Sequence, residues 1–192
     1  MTINAHAREA TDRVTLPVGR TLVKVGVTAN MLTATGLVGT IAGVGLVVTG
    51  TPVLGGWVLA AASLLDALDG TVARLRGAPT PVGSFYDSVA DRVSDAAILG
   101  AAAWLVRSDP VLFTAALVAL AGALLTSYVR AKAESLGWHA TVGVIERPER
   151  MIIVLAGMIL GQLGFALVVL AVGSVVTVAQ RFHSVLRQAG VT

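Results

Sequence analysis

The run from Val25 to Leu65 carries no charged residue, and two more uncharged runs follow it, Pro110 to Val129 and Met151 to Gln180. A membrane-spanning helix needs roughly 20 mostly apolar residues, because the hydrocarbon core is about 30 Å thick and a helix rises about 1.5 Å per residue. The first run is too long for one crossing, and the Gly50-Thr51-Pro52 turn signal splits it into spans over 30–48 and 53–68. Residues 83–106 give a third span, acidic in its first half and apolar from Ala96 onward, and 110–129 give a fourth. Gly161-Gln162-Leu163-Gly164 divides the last run into a fifth and a sixth. The fifth is long enough only if its helix starts near Glu146. The pattern predicts an all-α integral membrane protein of six transmembrane helices. Ahead of them, Pro17 can open a short juxtamembrane amphipathic helix with Val18, Leu22 and Val25 on one face and Arg20 and Lys24 opposite. An ordinary polar tail is the competing reading. One membrane domain is expected over 1–192, with 1–29 a cytoplasmic N-terminal segment and 30–187 the six-helix bundle.

Composition agrees. Only 13% of the residues are charged and the mean hydropathy is +0.82, whereas a soluble domain runs near a quarter charged. A chain this apolar is neither a water-soluble enzyme nor a free nucleic-acid binder, so its net charge of +3 has to be read by position. With the N-terminus inside, every Lys and Arg except Arg107 falls on the inner side. The positive-inside rule then puts both termini in the cytoplasm and the protein in the cell membrane as a multi-pass chain. Met1 to Lys24 has no long apolar run and does not read as a secretory signal. There is no Cys, which removes thiolate catalysis and thiolate-bound zinc.

Carboxylates inside spans carry the chemistry, since each is costly in lipid unless paired or ligating a cation. Asp66 and Asp69 sit near the inner end of the second span, and Asp87 and Asp91 near the inner end of the third. Helical spacing puts Asp66, Asp69, Gly70, Ala73 and Arg74 on one side of their helix. Gly83, Asp87 and Asp91 stack at i, i+4 and i+8 on the next. Two antiparallel helices joined by 75–82 can turn these faces together. Four hard oxygen donors with no His or Cys nearby select Mg²⁺, Mn²⁺ or Ca²⁺ over zinc. The small Gly70, Ala73 and Gly83 leave room for a ligand, and Arg74 suits a phosphate. Structural ion pairs are the plainer explanation, but only Arg74 and Arg92 lie close enough in sequence to supply them. Asp95 continues the stripe more deeply and is expected to play a hydrogen-bonded structural role.

The pattern Asp66-x2-Asp69-Gly70-x2-Ala73-Arg74-x8-Gly83-x3-Asp87-x3-Asp91 resembles, at every fixed position, the signature of the CDP-alcohol phosphotransferases. That resemblance implies a six-helix membrane enzyme, generally homodimeric, which moves a substituted phosphate from a CDP-linked donor to an alcohol and releases CMP. It implies two Mg²⁺ per active site, with Mn²⁺ as an alternative, held by Asp66, Asp69, Asp87 and Asp91. Asp91 is then also the catalytic base on the acceptor hydroxyl. Gly70, Arg74 and Thr80 would contact the CDP moiety of CDP-diacylglycerol, and Asn30, Met31, Leu32 and Thr33 would close over the nucleotide. Family members often have Thr-Pro-Asn where this chain has Thr28-Ala29-Asn30.

A second cluster bears on the acceptor. Ser127-Tyr128-Val129-Arg130-Ala131-Lys132 ends the fourth helix, Ile145-Glu146-Arg147-Pro148-Glu149-Arg150 opens the fifth, and Gln180-Arg181-Phe182-His183 closes the sixth. Arg150 and Arg181 come from different helices and can grip a phosphate from two sides. Positive-inside bias accounts for about half of these cations, and Glu146 is expected to pair with Arg150 at i, i+4. The three stretches look like those of the bacterial phosphatidylinositol-phosphate synthases. By that resemblance Ser127, Arg130, Lys132, Arg150 and Arg181 bind the phosphate of inositol 1-phosphate. Membrane lipid and a second copy of the chain are the remaining partners implied. A phosphatidylglycerophosphate synthase using glycerol 3-phosphate is the alternative within the class. A small cation channel or transporter is the alternative outside it, disfavoured because the carboxylates cluster at one interface.

Overall fold

The computed structural model describes residues 15–77 and 80–190, and every regular element among them is an α-helix. A short helix α1 (15–24) precedes α2 (Ala29–Val48), α3 (Pro52–Leu75), α4 (Pro81–Leu105), α5 (Pro110–Ser135), α6 (Arg147–Ile159) and α7 (Leu163–Gln188). Of the segment assigned to 1–29, residues 1–14 lie outside the described residues.

Helix boundaries follow from local chemistry. Proline stands in the first turn of α3, α4, α5 and α6, where its missing N–H costs nothing. Thr28, Thr80 and Asp109 cap α2, α4 and α5 by accepting from backbone N–H groups of the first turn. The turns after α2 and α6 pass through Gly50 (φ +100°) and Gly161 (φ +69°), conformations that L side chains rarely adopt.

Helix α2 packs antiparallel on α3 along a seam of small residues. A methyl group on Gly55 would lie 2.6 Å from Val47 Cγ2 and 2.8 Å from the Gly43 carbonyl oxygen. Gly43 seats Leu59, Gly39 seats Ala62, and Gly36 meets Asp66. This close approach supplies the packing that drives helix association in lipid. Helix α2 also packs on α4, α4 on α5, and α5 runs beside α7. Helix α6 wedges against α3, α4 and α7. The two carboxylate-bearing helices α3 and α4 are not a closely packed pair. Their antiparallel pairing expected from the short 75–82 link gives way to a cleft flanked by α2 and α6.

The interior is polar at one end and apolar elsewhere. Leu59, Ile98, Leu99, Val154, Leu167 and Leu170 are fully buried, and Asp69, Asp95, Thr126, Arg150, Thr177 and Arg181 are buried as well. Large apolar side chains such as Val38, Ile41, Trp57, Val111, Phe165 and Val172 point outward. Outward apolar and inward charged groups mark a multi-pass membrane protein. Four helices, α2, α3, α5 and α7, are long and apolar enough to cross. Helix α4 falls short in apolarity because it carries Asp87, Asp91, Arg92 and Asp95. Helix α6 has 13 residues, about 20 Å at 1.5 Å per residue, even though it begins at Arg147 as the fifth span requires.

Helix α1 lies across the end of α3 through Thr15 and Gly19, which meet Thr71 and Leu75. Val18 and Val25 are exposed. Leu22 is half-buried and Arg20 and Lys24 are exposed, so the face buried against the protein is that of Thr15 and Gly19, not the apolar face read from the sequence.

Candidate active site

Helix α3 brings Asp66 and Asp69 to one wall of the cleft, and α4 brings Asp87 to the other. One carboxylate oxygen from each lies within 4.8 Å of the other two. Three carboxylates this close repel one another strongly where water is scarce. The Thr33 hydroxyl on α2 donates to Asp69 Oδ2 at 2.6 Å, fixing that carboxylate's orientation. Among the described residues no ion pair reaches Asp69 or Asp87. A set of hard oxygen donors, two of them without an ion-pair partner among the described residues, fits a divalent cation of the Mg²⁺ or Mn²⁺ type.

Asp91 stands one turn further along α4 and outside this triad. Its Oδ1 lies 2.9 Å from Arg147 Nη1 and its Oδ2 3.5 Å from Arg92 Nη1. Arg147 also reaches Asp66 Oδ2 at 2.7 Å and Asp95 Oδ1 at 3.3 Å. Asp95 is buried and paired through its other oxygen with Arg150 Nη2 at 3.4 Å. It therefore joins ion pairs in addition to the structural hydrogen bonding expected of it.

Beside the triad a cavity of about 450 Å³ opens between the start of α2, the end of α3 and the start of α4. A pocket of this size holds a ligand of nucleotide dimensions. Asn30, Thr33, Gly70, Arg74 and Thr80 line it together with Asp69 and Asp87. Met31 and Leu32 do not: Met31 is exposed and Leu32 is buried in the bundle, because consecutive helical residues face different directions. Gly70 leaves its wall open, with only the Arg74 guanidinium within 4 Å of where a Cβ would stand. Arg74 is oriented by donating from Nη2 to Thr71 Oγ1 at 3.1 Å.

The acceptor candidates are divided. Arg130 and Lys132 are exposed on the last turns of α5, with Arg130 paired to Glu134 at 2.9 Å, and Ser127 is half-buried. Arg150 and Arg181 are buried, each only 3% exposed. Arg181 donates from Nε to the Val142 carbonyl at 2.8 Å and from Nη1 to the Thr126 carbonyl at 2.9 Å, and Nη2 lies 3.4 Å from Glu146 Oε1. It fastens the 136–146 loop to α5 and α7. The expected Glu146–Arg150 pair does not form. Glu146 is the extended N-cap of α6 (φ −93°, ψ −174°), so the i, i+4 geometry of a helix interior does not apply, and Arg181 takes it instead.

The residue that sequence reasoning passed over is Arg147. A usable signal existed. Arg147 and Arg150 sit at i, i+3 on one helix face, and Asp91 and Asp95 sit at i, i+4 on another, two complementary stripes.

Helical bundle, carboxylate cleft and adjoining cavity together define a membrane enzyme class. Residues 26–179 match the CDP-alcohol phosphatidyltransferase family. The chain belongs to that family, and it is a transferase of phosphate-containing groups. It is 38% identical over 199 residues to the phosphatidylinositol phosphate synthase of Mycobacterium marinum, covering 97% of this chain and 85% of that one. It is also 38% identical, over 176 residues, to the archaetidylinositol phosphate synthase of Methanothermobacter thermautotrophicus, covering 88% and 83%. Among solved structures, phosphatidylinositol phosphate synthase of Mycobacterium tuberculosis with CDP-DAG bound superposes with a TM-score of 0.81 at 36% identity, covering 91% of this chain and 94% of that one. The same enzyme in complex with manganese and citrate also gives 0.81 at 36%, covering 89% and 88%.

Proposed function

We propose that this enzyme is a phosphatidylinositol phosphate synthase, transferring the phosphatidyl group of CDP-diacylglycerol to inositol 1-phosphate and releasing CMP. The observation that carries the reading is the triad Asp66, Asp69 and Asp87 opening onto the cavity lined by Asn30, Thr33, Gly70, Arg74 and Thr80. The same cleft offers carboxylates for cations and a small-residue wall for a nucleotide. Relatives named phosphatidylinositol phosphate synthase and archaetidylinositol phosphate synthase, at this identity and coverage, favour inositol 1-phosphate over glycerol 3-phosphate as the acceptor proposed for this chain.

In this reading Asp66, Asp69, Asp87 and Asp91 would hold two Mg²⁺, or Mn²⁺ in their place. Divalent ions held by these carboxylates would supply positive charge against the diphosphate and the departing CMP. Arg74, Gly70 and Thr80 position the CDP moiety, with Asn30 and Thr33 over the nucleotide. Asp91 accepts the proton of the inositol hydroxyl as the oxygen attacks phosphorus and the bond to the CMP oxygen breaks. A carboxylate is a weak base for a free alcohol, so proton transfer is concerted with attack. Ser127, Arg130, Lys132, Arg150 and Arg181 make up the acceptor side. Buried Arg150 and Arg181 would exchange internal partners for the substrate phosphate. Six helices span the cell membrane, the acidic end of the bundle faces the cytoplasm with both termini, and two copies form a dimer.

The test is CMP release by purified protein with CDP-diacylglycerol and Mg²⁺, offering inositol 1-phosphate, glycerol 3-phosphate or free inositol in parallel. Turnover is expected with inositol 1-phosphate alone. Turnover with glycerol 3-phosphate in its place would overturn the choice of acceptor.

A further inference from the structure

All three nitrogens of the Arg147 guanidinium are engaged by carboxylates from two other helices: Asp66 on α3, and Asp91 and Asp95 on α4. The side chain is anchored from both ends. Its backbone forms the first turn of α6, fixed by Pro148 and by Glu149, whose side chain accepts from the Glu146 N–H at 3.1 Å. Its Nε meets Asp95, a buried carboxylate held on its far oxygen by Arg150. Arg147 therefore carries a fixed positive charge to the edge of the Asp66–Asp69–Asp87 triad, in direct contact with one member.

Such a charge has two consequences. It offsets the mutual repulsion of the carboxylates while no cation is bound. It also occupies one oxygen of Asp66 and repels an arriving divalent ion, since like charges at this range interact strongly where water is scarce. We propose that Arg147, tethered by Asp95, is the resident counter-cation of the carboxylate cleft and lowers its divalent-ion affinity by competing for Asp66. The inference rests on the metal-binding part of the proposed function. Arg147 is a positioning residue on this view. It keeps the carboxylates assembled between turnovers and keeps ion affinity moderate.

The experiment is Mn²⁺ binding to the full chain in lipid nanodiscs without substrate, following free Mn²⁺ by its EPR signal. Arg147→Gln is expected to bind Mn²⁺ about tenfold more tightly than the unaltered protein, from loss of a neighbouring positive charge. The metal-free form should unfold at lower temperature and gain more on adding Mn²⁺. Arg147→Lys keeps the charge but cannot bond three carboxylates at once, and should fall between the two. Equal or weaker binding by Arg147→Gln overturns the proposal. If that variant does not fold, Arg147→Lys decides in the same way. Failure of the parent reading looks different: the unaltered protein binds no Mn²⁺, or its binding survives Asp69→Asn.

Discussion

Asp91 and Asp87 are one helical turn apart on α4, and their surroundings differ. Asp87 faces Asp66 and Asp69 across the cleft, whereas Asp91 contacts Arg147 and Arg92. The stacking of the two at i, i+4 was legible in the spacing alone. Their division between a carboxylate triad and an arginine contact was not, because it depends on where α6 delivers Arg147, far away in the chain. Asp91 as the base on the acceptor hydroxyl predicts that Asp91→Asn loses about 100-fold or more of the transfer rate while CDP-diacylglycerol still binds. Single-turnover kinetics alongside a donor-binding isotherm measures both, and retained turnover removes Asp91 from that role.

Helices α2 and α3 set the width of the cleft from one flank. Their seam of Gly36, Gly39, Gly43 and Gly55 allows close backbone approach, and it sets the register at which Thr33 meets Asp69. Gly55→Ala puts a methyl group against Val47 and the Gly43 backbone. Overpacking of this kind costs about 1–3 kcal/mol, so thermal unfolding in detergent should occur at a lower temperature. An unchanged transition would show that the seam is looser than the contacts require. The positions of the six helices α2 to α7 and the breaks at Gly50-Thr51-Pro52 and Gly161-Gln162-Leu163-Gly164 were readable from hydropathy and turn chemistry, and four of those helices are long and apolar enough to cross a membrane. What hydropathy did not disclose is that α3 and α4 are held apart by α2 and α6, because a short link argues for adjacency and the wedge is tertiary. The juxtamembrane helix was readable too, but its protein-facing side was not. Thr15 and Gly19 carry no hydrophobic signal, and only the close fit against Thr71 and Leu75 selects them.

Taken as a whole the molecule inverts the soluble pattern, with valine and aromatic side chains outward and a connected network of Asp66, Asp91, Asp95, Arg147 and Arg150 inward at one end. A path from the cavity beside Asp69 to Arg150 thus runs through paired charges. Asp66 of the triad and buried Arg150 are parts of one ion-paired network confined to one end of the bundle, and charges gathered at one end do not line a path for an ion across the bilayer. Transfer can be followed at the level of product by supplying labelled inositol 1-phosphate with CDP-diacylglycerol and Mg²⁺. The lipid phase and free CMP are then measured together for the unaltered protein and Asp69→Asn. Label should enter the lipid phase in step with CMP, one for one, and both should vanish in Asp69→Asn. CMP without labelled lipid would mean hydrolysis of the donor, and labelled lipid made by Asp69→Asn would mean that the carboxylate triad is not where the reaction takes place.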